Sequence, residues 1–283
     1  MKIQKNKSLK ELTTFKIGGI AKYYVCIKHY DELKEALKFA KKNNLKVFIL
    51  GKGSNILFDS KGFFGIVIHI NLDFLKKVKN HLIVGAGYSF PLLGYITAKN
   101  NFSGLEFAKG VPGSLGGAIY MNASAFNQSV SDSLLSVQYL DENENVITLK
   151  KENCDFEYRN SIFQKNKGII LSARFLLKEN KNALNIQKEI MEKKLANQPL
   201  NERNAGCIFK NPKNNSARKV IENCSLIDFK IGGAKVSLKH ANFIINEKDA
   251  TSEDVLDLIK YIKKIVFEKT NIQLKEEVKY IPY

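Results

Sequence analysis

Arginine is scarce in this chain. All but four of its 45 basic residues are lysine, the exceptions being Arg159, Arg174, Arg203 and Arg218. Against 28 acidic residues this leaves a formal charge of +17, spread along the whole chain with no basic tail or stripe. Nucleic-acid recognition leans on the planar, bidentate guanidinium. The lysine excess therefore reads as a solvated surface able to attract a small anionic substrate, not as a nucleic-acid interface. Cysteine is sparse too. Cys26, Cys154, Cys207 and Cys224 stand far apart with no CxxC pair, which argues against a zinc site and a disulfide framework. His29, His69 and His81 lack metal-ligand spacing, so no metal site is expected. No apolar run is long enough to span a membrane, and the start MKIQKNKSLKEL leads into no signal-type apolar segment. A reducing cytoplasm is the expected setting. No internal repeat or low-complexity tract is present.

At 283 residues the chain holds one large or two modest domains and buries its core without staples. DELKEALKFAKKNN reads as an amphipathic helix with Asp31 as N-cap and Asn43-Asn44 as its stop. KVFILG follows as a short buried strand breaking at Gly51. GIVIHI and LIVGAG continue the strand-and-glycine pattern, and a helix is predicted from Pro91 to Asn100. VQYLDENENVITL predicts a hairpin with a polar turn, and GIILSARFLL a further strand. A polar break at Lys178–Asn182 precedes the helical NIQKEIMEKKLANQ, which Pro199 stops. Domains are accordingly expected over 1–180 and 181–283. The last helix is signalled by Thr251 and Asp254 as a capping box, followed by Val255, Leu258, Ile259, Ile262 and Val266 at helical spacing. Antiparallel-looking strands with interspersed helices predict an α+β fold.

Three glycine segments, GKGSN, GAG and GVPGSLGGAIYMNAS, each follow a β-like element within about 65 residues. GKGSN lacks the closing Gly-Lys-Ser/Thr of a P-loop, and GAGYSF lacks the last glycine of the dinucleotide fingerprint. Singly each is a turn. Together they suggest backbone cradles for a bulky diphosphate cofactor, with Ser54, Asn55, Ser114 and Asn122 as adjacent polar side chains, or as turn-stabilising residues.

Seven ordered blocks then become recognisable: TTFKIGG, LGKGSNIL, SGLEFAKGVPGSLGGAIYMNA, YRNSIF, AGCIFKNP, GGAKVSLKHANFIIN and LKEEV. In that order they resemble the UDP-N-acetylenolpyruvoylglucosamine reductase family over nearly the whole chain. The resemblance implies a two-lobed FAD-binding domain of the vanillyl-alcohol-oxidase (PCMH) type and a C-terminal α+β substrate domain. It also implies an activity in peptidoglycan synthesis. NADPH reduces FAD, which in turn reduces UDP-N-acetyl-3-O-(1-carboxyvinyl)glucosamine to UDP-N-acetylmuramate. The 47 residues from 160 to 206 leave no room for the tyrosine-bearing loop of the family's longer form, so the chain resembles the shorter form.

By the same resemblance Arg159 in YRNS, Cys207 in AGCIFKNP and Glu277 in LKEEV are the catalytic candidates. A guanidinium suits charge developing next to a carboxylate. The proton donor is usually a serine in this family. A thiol at 207 is mostly protonated at neutral pH and is the better acid; the alternative is a buried inert cysteine. Glu277 would assist the arginine, although neighbouring Glu276 is the other candidate. Gly51, Gly53, Ser54, Asn55, Gly113, Ser114, Gly116, Gly117 and Asn122 are implied for FAD. Tyr158, Asn211, Lys239 and His240 are candidates for the UDP-sugar or the nicotinamide cofactor, with a hydrogen-bonded structural role as the other reading of His240. Ser124 and Phe126 depart from the glycine and tyrosine more frequent at those positions. Two other readings fit the glycine-rich half by itself: a different flavin oxidoreductase of the same superfamily, or a nucleotide-binding regulatory protein with a degenerate site.

Overall fold

The computed structural model describes residues 1–78, 81–166 and 168–283. The chain divides into two compact units that interleave along the sequence. The first comprises residues 1–2, 25–52 and 68–194, and the second residues 3–24, 53–67 and 195–283. A single cut after residue 180 is the simplest reading of the sequence. Residues 53–67 group with the late chain because Ile56–Phe58 pairs with Lys279–Ile281, and residues 3–24 because Phe15 and Ile17 pack into the late chain's core.

In the first unit a five-stranded antiparallel sheet runs in the order Val146–Lys150, Leu134–Leu140, Ile169–Leu176, His81–Gly85, Leu75–Val78. The predicted hairpin is its first pair, with Val137 opposite Leu149. The central strand Ile169–Leu176 is buried over its first five residues, as expected for a strand flanked on both sides. The helix Phe90–Lys99 carries Pro at its start and buries Phe90, Leu93 and Ala98. Phe90 meets Phe107 edge-on at 5.7 Å. Helix Ala183–Asn197 is fastened through buried polar groups: Gln187 Nε2 donates to the Gly94 carbonyl at 2.8 Å and Lys194 Nζ to the Gly110 carbonyl at 2.6 Å. Helix Tyr30–Lys42 starts one residue before the expected cap. Its N-cap is His29, not Asp31, because the Glu32 carboxylate accepts the backbone N–H groups of Lys28 and His29 at 2.7 and 3.1 Å. Strand Lys46–Leu50 buries only Leu50 fully, with Lys46 and Val47 exposed.

The second unit is built on the antiparallel sheet Asn204–Cys207, Phe243–Asn246, Ala234–Val236, Lys230–Ile231. Helix Ser252–Thr270 contributes Val255, Leu258, Ile259, Ile262 and Val266 to its core, together with Phe15, Ile17, Leu57, Ile208 and Phe209. The Thr251–Asp254 capping box is present as the sequence predicts, with Thr251 N–H donating to Asp254 Oδ2 at 2.9 Å and Asp254 N–H to Thr251 Oγ1 at 3.1 Å. Asn271, at φ 56°, ends the helix in the left-handed conformation. The early segments are tied in by pairing. Lys279–Ile281 runs parallel to Ile56–Phe58, Gln4–Ser8 pairs antiparallel with residues 20–24, Asn246 Nδ2 donates to the Phe15 carbonyl at 3.1 Å, and the Tyr280 hydroxyl donates to Asp59 Oδ2 at 2.6 Å. No described helix is long and apolar enough to cross a membrane.

Candidate active site

The glycine segments of the first unit converge as a built cradle. Gly51 ends strand Lys46–Leu50, and a Cβ placed on it would overlap Ser114 Oγ. Ser114 is the N-cap of helix Leu115–Tyr120, its hydroxyl accepting from Gly117 N–H at 3.4 Å. The backbone around it is sewn to the second glycine segment: Gly116 N–H donates to the Ala86 carbonyl at 2.8 Å, Leu115 N–H to Tyr88 at 2.9 Å, and Phe90 N–H to Gly113 at 3.1 Å. Gly113 sits at φ 144°, a conformation that penalises any side chain.

Asn122 follows the same helix, at φ 41°. Its Nδ2 donates to the Glu157 carbonyl at 3.0 Å, while its buried Oδ1 has no hydrogen-bond partner among the described residues. A buried amide oxygen without a donor costs about 1–3 kcal/mol. That oxygen, just past the end of the helix whose N-terminus the glycines line, is suited to a hydroxyl or imide donor such as FAD carries.

Asn122 also holds the turn that carries Arg159. Glu157 and Asn160 bridge across it, placing Arg159 at φ 54°. The turn is anchored to the end of helix Leu115–Tyr120: Ser161 Oγ and Gln164 Nε2 both donate to the Tyr120 carbonyl at 2.8 Å, and Gln164 Nε2 also reaches the Arg159 carbonyl at 3.0 Å. The guanidinium carbon lies 5.2 Å from the Tyr158 ring centroid, a cation–π distance. Its Nη1 donates to Ser124 Oγ at 2.6 Å. Cys154, near this turn in sequence, is a buried thiol pushed up to about 11 by burial and by Glu152 and Asp155.

In the second unit Cys207 ends strand Asn204–Cys207 just after a bulge. Asn204 pairs with Ile245 and Cys207 with Phe243, three residues against two. Gly206 makes this possible at φ 79°, with its N–H donating to Asn204 Oδ1 at 2.9 Å. The requirement is conformational, since a Cβ at 206 would meet nothing within 4 Å. The next residue reaches the C-terminal segment: Glu277 N–H donates to the Ile208 carbonyl at 2.7 Å and Lys210 N–H to Lys275 at 2.8 Å. Asn55 closes the arrangement, its Nδ2 donating to the Glu277 carbonyl at 3.1 Å and its carbonyl accepting from Lys279 N–H at 3.0 Å. Gly53, at φ 62°, lies where a Cβ would overlap the Leu12 carbonyl. Ser54, Cys207 and Glu277 are half-buried. Glu276, the alternative acid, is exposed and ion-paired with Lys263 at 2.7 Å.

The remaining candidates spread out. Asn211 is exposed, and its Oδ1 accepts from Ala217 N–H at 3.0 Å, helping to start helix Ala217–Asn223. Lys239 and His240 lie on the loop before strand Phe243–Asn246, Lys239 exposed. His240 accepts from Asn242 N–H through Nδ1 at 3.3 Å and packs edge-on to Phe243 at 4.7 Å. Burial, then the nearby Arg218, pushes it down to about 4, so it is a neutral imidazole at neutral pH. The sequence reading passed over Asn242, which lies within the quoted block. Buried, it acts as a surrogate strand partner, accepting Phe209 N–H at 2.9 Å and donating to the Phe209 carbonyl at 2.8 Å. No described group of three or more His, Cys, Asp and Glu residues is arranged to hold a metal.

Comparison with known proteins agrees in both units. Residues 21–150 match the FAD binding domain family, and residues 198–281 match the UDP-N-acetylenolpyruvoylglucosamine reductase C-terminal domain. The chain is thus an FAD-dependent oxidoreductase of α+β architecture, with a PCMH-type flavin domain ahead of a second, family-specific domain. It is 48% identical over 99% of its length to the UDP-N-acetylenolpyruvoylglucosamine reductase of Protochlamydia amoebophila, covering 94% of that protein. The Chlamydia felis reductase is 40% identical, with 97% and 93% of the two chains covered. The crystal structure of the Thermus caldophilus reductase superposes with a TM-score of 0.87 at 32% identity over 100% of both chains. The chain belongs to the UDP-N-acetylenolpyruvoylglucosamine reductase family.

Proposed function

We propose that this chain reduces the enolpyruvyl double bond of UDP-N-acetyl-3-O-(1-carboxyvinyl)glucosamine to give UDP-N-acetylmuramate, as a cytoplasmic step of peptidoglycan synthesis. NADPH is the electron source. The observation that supports this most is that Glu277 meets the Cys207 segment at Ile208 and Asn55 through its own carbonyl, since these residues stand far apart in the sequence.

Gly51, Gly53, Ser54, Asn55, Gly113, Ser114, Gly116, Gly117 and Asn122 would hold FAD. Held there, FAD would supply the redox chemistry, relaying two electrons from NADPH as a hydride equivalent to the terminal alkene carbon. Arg159 meets the substrate carboxylate and the negative charge that builds on the adjacent carbon. Being permanently cationic and already oriented, it lowers the barrier without reorganising, an effect on the order of 10²–10³ in rate. The Cys207 thiol gives its proton to that carbon, completing the C–H bond, and the thiolate regains a proton from solvent. Each turnover then consumes one NADPH and one solvent proton per double bond reduced. Glu277 assists in its protonated form, or paired with a cation, because a bare carboxylate would repel the substrate's own. Tyr158, Asn211 and Lys239 contact the UDP-sugar, and His240 does so as a neutral hydrogen-bonding group.

The test is NADPH oxidation by the purified yellow protein. It should require the enolpyruvyl UDP-sugar and yield a product two hydrogens heavier. Oxidation independent of the sugar would favour another flavin oxidoreductase, and a colourless protein unable to take up FAD would favour a binding module.

A further inference from the structure

We infer that Ser124 is a positioning residue for Arg159, its hydroxyl setting the pose of the guanidinium toward the substrate carboxylate. The inference rests on the role given to Arg159 above. Ser124 Oγ lies 2.6 Å from Arg159 Nη1, at the short end for a hydrogen bond from a charged donor. The Ser124 carbonyl adds a second acceptor, 3.4 Å from both Nη1 and Nη2. Two acceptors from one residue fix the plane of the guanidinium as well as its reach. At the other end of the same side chain, Gln164 holds the Arg159 carbonyl and Asn122 holds the Glu157 carbonyl.

Ser124 itself is on fixed ground. Ser124–Ala125 pairs with Gln128–Ser129 across a two-residue turn, Phe126 and Asn127, with φ of 53° and 59° as a type I′ turn demands. A bulky exposed residue such as Phe126 resists that backbone, so the hairpin is held by its surroundings. Gln128 supplies the hold, its Oε1 accepting Phe107 N–H and its Nε2 donating to Glu106 Oε2, both at 3.4 Å. Glu106 is buried and also accepts from Ser103 Oγ at 2.5 Å and Gly104 N–H at 2.8 Å. The arrangement runs unbroken from a buried carboxylate, through Gln128 and the hairpin, to the hydroxyl that meets the arginine. A glycine at 124 has no hydroxyl to offer, so this anchor belongs to the serine.

The test separates the two half-reactions in the holoenzyme, comparing wild type with Ser124→Ala, Ser124→Thr and Arg159→Lys. In Ser124→Ala, reoxidation of the reduced flavin by saturating enolpyruvyl UDP-sugar should slow about tenfold, the order expected for losing one hydrogen bond to a charged group. Flavin reduction by NADPH should keep its wild-type rate, and Ser124→Thr should recover the reoxidation. Wild-type reoxidation in Ser124→Ala overturns the inference. So does a parallel loss of both half-reactions and of flavin with no recovery by threonine, which would assign Ser124 to hairpin folding. Unchanged reoxidation in Arg159→Lys would instead remove the role of Arg159, a failure visible separately from that of Ser124.

Discussion

Substituting alanine for Gly51 probes the proposed flavin cradle where it meets Ser114. The added Cβ would overlap Ser114 Oγ, while the next atom, Ser114 Cβ, stays at 3.6 Å, an ordinary contact. The conflict is therefore with one hydroxyl. That hydroxyl either swings away, abandoning Gly117 N–H at the helix N-terminus, or stays and displaces backbone. Losing the cap costs about 1 kcal/mol, and overpacking, the alternative, about 1–2 kcal/mol. Gly51→Ala should thus destabilise by about 1–2 kcal/mol and Ser114→Ala by about 1 kcal/mol. In the double variant the overlap is gone, so only the cap is lost and the cost is about 1 kcal/mol instead of the additive 2–3 kcal/mol. Removing a native hydroxyl should rescue the glycine variant. Thermal unfolding of the four proteins measures this, with roughly 2–4 °C per kcal/mol, and FAD affinity should follow the same order for Gly51→Ala against wild type. Additive losses, or a Gly51→Ala protein melting with wild type, would refute the account of why glycine stands at 51.

Three further outcomes are expected. Cys207→Ser should retain substantial turnover, whereas Cys207→Ala should slow the sugar half-reaction far more than flavin reduction; an alanine variant as active as wild type would remove the proton-donor role. His240 is held near 4, below its unfolded value of about 6.5. The unfolded chain therefore binds the extra proton first, and stability falls as pH drops from about 6.5 to about 4. The contribution is about 1–3 kcal/mol after allowing for partial solvent exposure, and His240→Gln should flatten that limb of a Tm-against-pH curve. Tyr280→Phe removes a 2.6 Å bond to the buried Asp59 carboxylate; burial and then this bond push the Tyr280 hydroxyl up to about 12. It should cost about 1–2 kcal/mol in denaturant unfolding, and an unchanged midpoint would contradict this.

Much of this architecture was legible because its signals are local. Thr251 with Asp254, followed by five apolar residues at helical spacing, specifies the last helix through groups within one turn of each other. The DENEN turn between β-rich arms does the same for the hairpin. The helix start at His29 was missed because the decisive acceptor, Glu32, captures two N–H groups upstream of Asp31. The interleaved units were illegible for a different reason: the parallel pairing of Lys279–Ile281 with Ile56–Phe58 spans some 220 residues and leaves no periodicity in either strand. The candidate site divides likewise. Sequence blocks singled out Cys207, Glu277 and Asn55, whereas the link from Glu277 to Ile208, beside Cys207, is a backbone hydrogen bond with no side-chain signature. Ser124 stood out only as a departure from glycine, and its partner was not readable from the motif.

The central claim is that Arg159, Cys207 and Glu277 act on the enolpyruvyl sugar after the flavin has been reduced. Anaerobic mixing of the NADPH-reduced protein with that sugar, following return of the flavin's visible band, tests it most directly. Wild type should reoxidise within one turnover, with Arg159→Ala, Cys207→Ala and Glu277→Ala each markedly slower though reduced by NADPH at the wild-type rate. A reduced flavin that ignores the sugar, or three variants that reoxidise as fast as wild type, would contradict it.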